Sequence, residues 1–304
     1  MVNCKICNEE FESETNLHRH FRKHKMTIET YYVTQFPRRD KYSNELISFK
    51  SKEYYFNNDF VCKENFAKWI KSAPPSVAEE YIKEYLIKRK SSKSLQFIPS
   101  QVELRSLNGP SIVTFEKYFD YFKFCAGLGM SAKFQNIDYV FSCGDEDHTI
   151  LVDTREQKPF ELPVYKIQKL DYGDYCLEKS DVKPKCYIER KSANDFIGTL
   201  SELERFEKEV VRADENGDYL VVLVEEKLSN LLDFNKKLAN CQRFCVSPEH
   251  IFHNVRYLMQ KYNNIQFLFA DGREEALRLC SKILRERSAH FSTDLQLLYD
   301  KKIL

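Results

Sequence analysis

The period of the apolar positions changes near Thr149. Upstream, apolar residues recur at intervals of three and four. Val77, Tyr81, Ile82, Tyr85 and Leu86 in "SVAEEYIKEYLIKRK" fall on one side of a helix, and Phe115, Phe119, Phe122 and Leu128 in "TFEKYFDYFKFCAGLG" predict a second one that Gly127 and Gly129 stop. Pro74, Pro75 and Asn108-Gly109-Pro110 punctuate these pieces. Downstream, short β-rich runs alternate with amphipathic helices. "TILVD", "YKIQKL", "CYIE", "YLVVLVEE" and "IQFLFA" read as strands, the last three too apolar to face water on either side. Phe196, Leu200, Leu203, Phe206 and Val210 form a helical stripe between them, and Ser247-Pro248 and Asp271 with Glu274 mark helix starts by capping logic. The pattern predicts an α/β domain ending near Arg287 and then a short polar tail, with no internal repeat.

The first 25 residues stand apart. Cys4, Cys7, His20 and His24 are spaced C-x2-C-x12-H-x3-H with Phe11 and Leu17 between them. Two thiolates on a hairpin and two imidazoles one helical turn apart can close a tetrahedron around Zn²⁺, over a core as small as Phe11 and Leu17. The segment resembles a C2H2 zinc finger over its full length, a self-contained ββα unit that folds only with its metal. Docked as a DNA-reading finger, it would turn Ser13, Asn16 and Arg19 toward bases, Asn suited to adenine and Arg to guanine, across about three base pairs. A protein-binding or purely stabilising finger is the alternative. Arg22, Lys23 and Lys25 offer phosphate contacts, but Glu9, Glu10, Glu12 and Glu14 nearly cancel their charge.

Composition narrows the classes. With 304 residues there is room for two compact domains and a small module. Lys and Arg total 47 against 46 Asp and Glu, so a nucleic-acid surface has to be a local patch. No apolar run approaches the roughly 18 residues that span a bilayer, and the amino terminus lacks the apolar stretch of a signal peptide. An intracellular, reducing compartment follows as the expectation, with no membrane contact. Of ten Cys, two have metal-ligand spacing; the other eight are scattered and read as thiols, mostly buried, rather than disulfides. Cys241, Cys245, His250 and His253 fit no common metal module and read as buried thiols and surface imidazoles. The basic run Lys88-Arg89-Lys90 to Lys93 is a solvated helix end or a DNA contact. The expected domains are a finger (1–25), a mainly helical region (26–147), an α/β domain (148–290) and a tail (291–304).

The chemistry concentrates in "LVDTREQKPF", "LDYGDY" and "YIERKSANDF". Asp153 ends the first strand with Arg155 and Glu156 after it, Asp174 follows Gly173 in a turn, and Glu189-Arg190-Lys191 ends another strand. Hydrolysis of a phosphodiester needs an activated water, neutralised charge on phosphorus and a stabilised leaving oxygen. Carboxylates holding Mg²⁺ provide these, with a lysine to orient water or phosphate. Asp195 reads as a cap on the next helix.

Together the segments resemble the VDxRE, GDY and ERKxxxD signatures of the XPF-type, ERCC4-domain structure-specific endonucleases, and "RFEKEVVRADENGDYLVVLVEE" and "IQFLFADGREEALRLCSKIL" continue the likeness in order and length. The resemblance covers residues 148 to about 287. It implies a restriction-endonuclease-like α/β fold, a mixed central sheet flanked by helices, and cutting of DNA near duplex to single-strand junctions with Mg²⁺ or Mn²⁺. It implies Asp153, Asp174 and Glu189 as metal ligands, with the Arg190 carbonyl as a further one, and Lys191 as the residue positioning water or phosphate. Arg155 and Glu156 would support the site or touch phosphate, Arg190 would hold the strand end, and Asp195 would orient Lys191 or cap its helix. DNA is the implied partner, with a homodimer or a partner subunit through the nuclease domain. The residues beyond Arg287 are too few for the tandem helix-hairpin-helix motifs usual in this family, so grip on DNA is expected from the finger, the helical region or a partner. Two other readings are a sequence-guided or mobile-element nuclease, and a catalytically silent DNA-binding or assembly factor.

Overall fold

The computed structural model describes residues 1–107, 109–134, 149–178, 185–239, 244–285 and 293–304. Contacts divide the chain into two units, Met1–Tyr85 with Leu107–Pro110, and Leu86–Ser106 with Ser111–Leu304.

In the first unit, β1 (Val2–Asn3) and β2 (Glu10–Phe11) pair antiparallel, and α1 (Glu14–His20) follows with Ser13 as its cap, accepting from Asn16 N. Helices α2 (Ile28–Gln35), α3 (Lys52–Asn57), α4 (Lys63–Ser72) and the start of α5 (Pro75–Lys93) complete it. Here the expectation of a self-contained finger meets a difference. Leu17 and Phe21 are buried together with Tyr31, Tyr32, Ile47 and Tyr55, and Phe21 stacks on Tyr31 at a centroid distance of 3.9 Å. The reason is size: a ββα unit has too few apolar residues to bury much surface, and the aromatic segment after it extends that core.

In the second unit the sheet runs β4-β3-β5-β6-β7-β8. Its strands are β3 (Ile150–Val152), β4 (Tyr165–Ile167), β5 (Tyr175–Leu177), β6 (Cys186–Lys191), β7 (Tyr219–Val224) and β8 (Ile265–Phe269). β6, β7 and β8 run parallel, β5 is antiparallel to β3 and β6, and β4 is parallel to β3, so the sheet is mixed. Alternation along each strand gives two apolar faces. Leu151, Cys176, Tyr187, Leu220 and Val222 cluster with Phe196, Leu200, Phe206 and Val210 from α9 (Ala193–Ser201) and α10 (Leu203–Glu215) and with Ile251 and Val255 from α13 (Pro248–Lys261). Val152, Tyr175, Ile188, Val221 and Leu223 cluster with Leu279 and Ile283 of α14 (Arg273–Arg285) and Leu295 and Leu298 of α15 (Leu295–Asp300). Helices on both faces explain why β7 is apolar at every position. The remaining helices are α6 (Gln101–Arg105), α7 (Ile112–Phe115), α8 (Tyr121–Gly127), α11 (Leu228–Leu231) and α12 (Phe234–Lys237).

The structure departs from the sequence pattern in several places. The helix expected through Phe115 and Leu128 is two, because Asp120 caps α8 by accepting from Lys123 N; Phe115 and Tyr121 then stack, both buried, in place of Phe119 and Phe122. β5 has only three residues and follows a glycine turn, too short to show a period. The polar tail is a docked helix: Leu295, Leu297 and Leu298 are buried, Gln296 Oε1 accepts from Phe269 N, and Gln266 Oε1 accepts from Leu295 N. Thus α15 covers the outer edge of β8. Ser247 caps α13 with Pro248 in its first turn, as expected, whereas α14 begins at Arg273 after Gly272 at φ +88°. Cys125, Cys176, Cys186 and Cys280 are buried thiols, but Cys245 is exposed because it lies in the loop before α13. His250 and His253 are exposed; Cys241, Arg287 and the expected boundaries at 147/148 and 290/291 lie outside the described residues. Among the described residues no helix is long and apolar enough to cross a membrane.

Candidate functional site

Strand register assembles the acidic residues. Val152 pairs with Tyr175 and Tyr175 with Ile188, so one step further Asp153, Asp174 and Glu189 stand in a single cross-strand row. Asp153 N donates to Asp174 O at 2.9 Å and Asp174 N to Ile188 O at 2.8 Å, which holds the row together at its backbone. By alternation the row shares the sheet face of Leu151, Cys176 and Tyr187, and Lys191, two residues past Glu189, shares it too. Gly173 makes the turn possible. It sits at φ +68°, and a Cβ there would meet Tyr187 Cβ at 3.1 Å and Ile188 O at 3.3 Å.

The three carboxylates are not equivalent. Asp153 is saturated: Oδ1 accepts from Arg155 N at 2.8 Å and Arg155 Nε at 2.6 Å, and Oδ2 from Leu170 N at 2.6 Å and Arg155 Nη2 at 3.2 Å. Burial would raise its pKa, but those donors together bring it below the usual carboxylate value. Asp174 accepts from Arg190 N at 2.7 Å, yet burial and then the charge of Glu189 push its carboxyl up to about 8. Burial also raises Glu189, against the pull of Lys191, whose Nζ lies 2.5 Å from Glu189 Oε1. Glu209 of α10, which the sequence reading missed, accepts from Gly173 N at 3.0 Å and acts electrostatically on Glu189, Lys191 and Arg155. Its signal was faint: a Glu three residues after Phe206, on the stripe that faces the sheet.

Arg190 points to the other face and does different work. Its Nε and Nη2 meet Glu156 Oε2 and Oε1 at 2.8 and 2.9 Å, and Nη1 lies 3.2 Å from Glu225 Oε1. Glu225, also missed by the sequence reading, is the first residue after β7 and pairs with Arg273 at 2.6 Å. Glu156 is held below its ordinary pKa, since the Arg190 bonds outweigh burial. Asp195 is not the helix cap. Ser192 caps α9, its Oγ accepting from Asp195 N at 3.3 Å and donating to Asp195 Oδ2 at 2.6 Å, which leaves Asp195 in the first turn and bonded to Ser192, while Lys191 bonds Glu189. The cap falls at Ser192 because the chain leaves β6 there.

In the first unit Cys4, Cys7, His20 and His24 offer donor atoms all within 4.8 Å of one another, with Cys7 Sγ 3.2 Å from His20 Nε2 and Cys4 Sγ 3.5 Å from His24 Nε2. Among the described residues this is the cluster whose ligand atoms already converge; Asp153, Asp174 and Glu189 form no such tight group. Burial would raise the Cys4 thiol, but the N–H groups of Cys7 and Ile6 more than offset it and lower its pKa. Glu9 Oε2 lies 3.5 Å from His20 Nδ1. Asn16 and Arg19 on α1 and Ser13 at its cap are exposed, while Glu14 and His18 beside them pair with Lys52 and Tyr32. Arg89 in the basic run is buried, so that run is not a wholly solvated helix end.

The chain is similar to known proteins over part of its length. Residues 148–283 match the ERCC4 domain family. The spindle assembly checkpoint component MAD1 of Eremothecium gossypii is 27% identical over 173 residues, 52% of this chain and 26% of that protein. Two structures of XPF from Aeropyrum pernix, one in complex with DNA, superpose with a TM-score of 0.33 and 18% identity over 45% of this chain and 64% of theirs. The chain thus spans about a quarter of the curated relative that it matches. With the signature residues at the strand ends and the mixed sheet in the same segment, the family match identifies residues 148–283 as an ERCC4 domain.

Proposed function

We propose that the chain is a divalent-metal-dependent DNA endonuclease that hydrolyses phosphodiester bonds at branched or junction DNA. The observation that carries this reading is the row of Asp153, Asp174 and Glu189 on one sheet face with Lys191 beside it. On that face four carboxylates, those three and Glu209, stand against two cations, Arg155 and Lys191, an excess of two negative charges when all are ionised. Hard oxygen donors with that excess suit Mg²⁺ or Mn²⁺. Asp174 and Glu189 would hold the ion; Asp153 joins them only by giving up bonds to Arg155. When bound, the ion neutralises charge on the phosphorus and lowers the pKa of a water. Lys191, kept protonated by Glu189 despite burial, would orient the attacking water or the scissile phosphate. Arg155, with its side chain 60% exposed, would meet a phosphate from solvent. Glu156 and Arg190 brace the strand end from behind.

The test is nicking of flap, fork, nicked and plain duplex DNA, each strand end-labelled, with and without Mg²⁺. Cutting confined to junctions and dependent on the ion supports the reading; binding without cleavage would leave a docking factor in its place. A sequence-guided nuclease is favoured by one observation, the joint exposure of Ser13, Asn16 and Arg19, and predicts cutting that follows base identity in a duplex library. For the finger we propose Zn²⁺ held by Cys4, Cys7, His20 and His24. Purified protein should carry one zinc per chain by elemental analysis and the Cys7→Ser variant much less; equal zinc in both excludes the site.

A further inference from the structure

We propose that Glu209 is the positioning residue of the acidic row, holding the amide of Gly173 and thereby fixing the turn that presents Asp174. The inference rests on reading the row as the metal-holding centre. Its starting point is an amide. In the turn before β5, Asp174 N is taken by Ile188 O on β6, but the preceding N–H, that of Gly173, points out of the ladder and is satisfied by Glu209 Oε1 at 3.0 Å. Gly173 is buried, so without that acceptor its N–H would be left unpaired away from water.

The donor and acceptor are 36 residues apart, on different elements, and the bond therefore ties α10 to the turn. α10 is itself fixed to the sheet by Phe206, Val210 and Ala213, so Glu209 is carried on a rigid support. The turn has little freedom of its own to replace this bond. Gly173 is in the left-handed region with Tyr187 and Ile188 packed against it, and Asp174 Oδ2 has to reach Arg190 N at 2.7 Å while its carboxylate stays in the row with Glu189. A shift of the Gly173 amide moves Asp174 directly, because the two are adjacent in the chain. Glu209 also faces Glu189, Lys191 and Arg155, so a carboxylate here, rather than an amide, adds charge to the same face.

Three full-length proteins separate these roles: Glu209→Ala, Glu209→Gln, which keeps an oxygen acceptor but no charge, and Asp174→Ala as the reference for the row. The first readout is hydrogen exchange of the Gly173 amide. Protection in the wild type and in Glu209→Gln, with at least tenfold faster exchange in Glu209→Ala, supports the hold on the turn; unchanged exchange in Glu209→Ala overturns it, whatever the row binds. The second readout is Mn²⁺ affinity, followed by the electron paramagnetic resonance of free Mn²⁺ in zinc-loaded protein, together with kcat and KM for nicking. The expected result is about a tenfold loss of Mn²⁺ affinity and of kcat in Glu209→Ala at nearly constant KM, with most of both restored in Glu209→Gln. Equal losses in the Gln and Ala variants would overturn the positioning role in favour of a direct action of charge. Mn²⁺ binding that is the same in the wild type and in Asp174→Ala sinks the reading of the row instead, and the exchange data still decide Glu209.

Discussion

Neighbouring residues on β6 face opposite sides of one sheet and meet opposite electrostatics. On the Arg190 side, two cations, Arg190 and Arg273, meet two carboxylates, Glu156 and Glu225, in a chain of ion pairs of 2.6–3.2 Å. On the Glu189 side, among the described residues, Asp153, Asp174, Glu189 and Glu209 stand with Arg155 and Lys191, and burial and then the charge of Glu189 push Asp174 up to about 8. A matched network serves structure, since each charge has its counterion in place. An unmatched one is held at a cost to folding and is a mark of a functional centre, where a further cation completes the balance. Residues 189–191 are thus two devices interleaved by the strand's alternation.

The largest effect expected from breaking this contrast is on catalysis. Asp174→Ala or Glu189→Ala should lower the Mg²⁺-dependent nicking rate by roughly 10³-fold with an unchanged circular dichroism spectrum. Activity within a few-fold of wild type in both would end the catalytic assignment. Next, Arg190→Ala should reduce unfolding free energy by about 3–5 kcal/mol, because it leaves the buried Glu156 without its partner. Urea denaturation measures this, and a loss no larger than that of a surface pair would mean the network is dispensable. The smallest effect is on pH dependence. Asp174 titrates near 3.8 unfolded and about 8 folded, so between those values the folded state holds a proton that the unfolded state has released. Its contribution is present below about pH 4 and is lost as pH rises toward 8. In chelator, the wild-type urea midpoint should therefore fall across that window relative to Asp174→Asn, and saturating Mg²⁺ should flatten the difference. Parallel profiles would show that Asp174 ionises normally.

The sites differ in how far they could be read in advance. The convergence of Cys4, Cys7, His20 and His24 was legible because local spacing alone sets it: a hairpin and one helical turn bring the four donors together. Asp153, Asp174, Glu189 and Lys191 were legible as strand-end acids and a lysine, and the register does bring the acids into one row. Their partners were not. That Arg155 would saturate Asp153, that Ser192 rather than Asp195 would cap α9, and that Arg190 would turn away from Lys191 all depend on where the chain leaves each strand, a matter of a single residue.

What the sequence determined by itself is the set of elements with a strong period and the chemistry carried at short range: the apolar strands, the helical stripes, the ligand spacing of the finger and the identity of the acids. Packing alone set which apolar surfaces merge, so that the ββα segment shares a core with Tyr31 and Tyr55 and α15 docks on β8. It alone also brought Glu209 to Gly173 and Glu225 to Arg190, across 36 and 35 residues. Local periodicity reports which side of an element is apolar, whereas the partner of that side, and of any buried charge on it, is set by packing among elements distant in the chain.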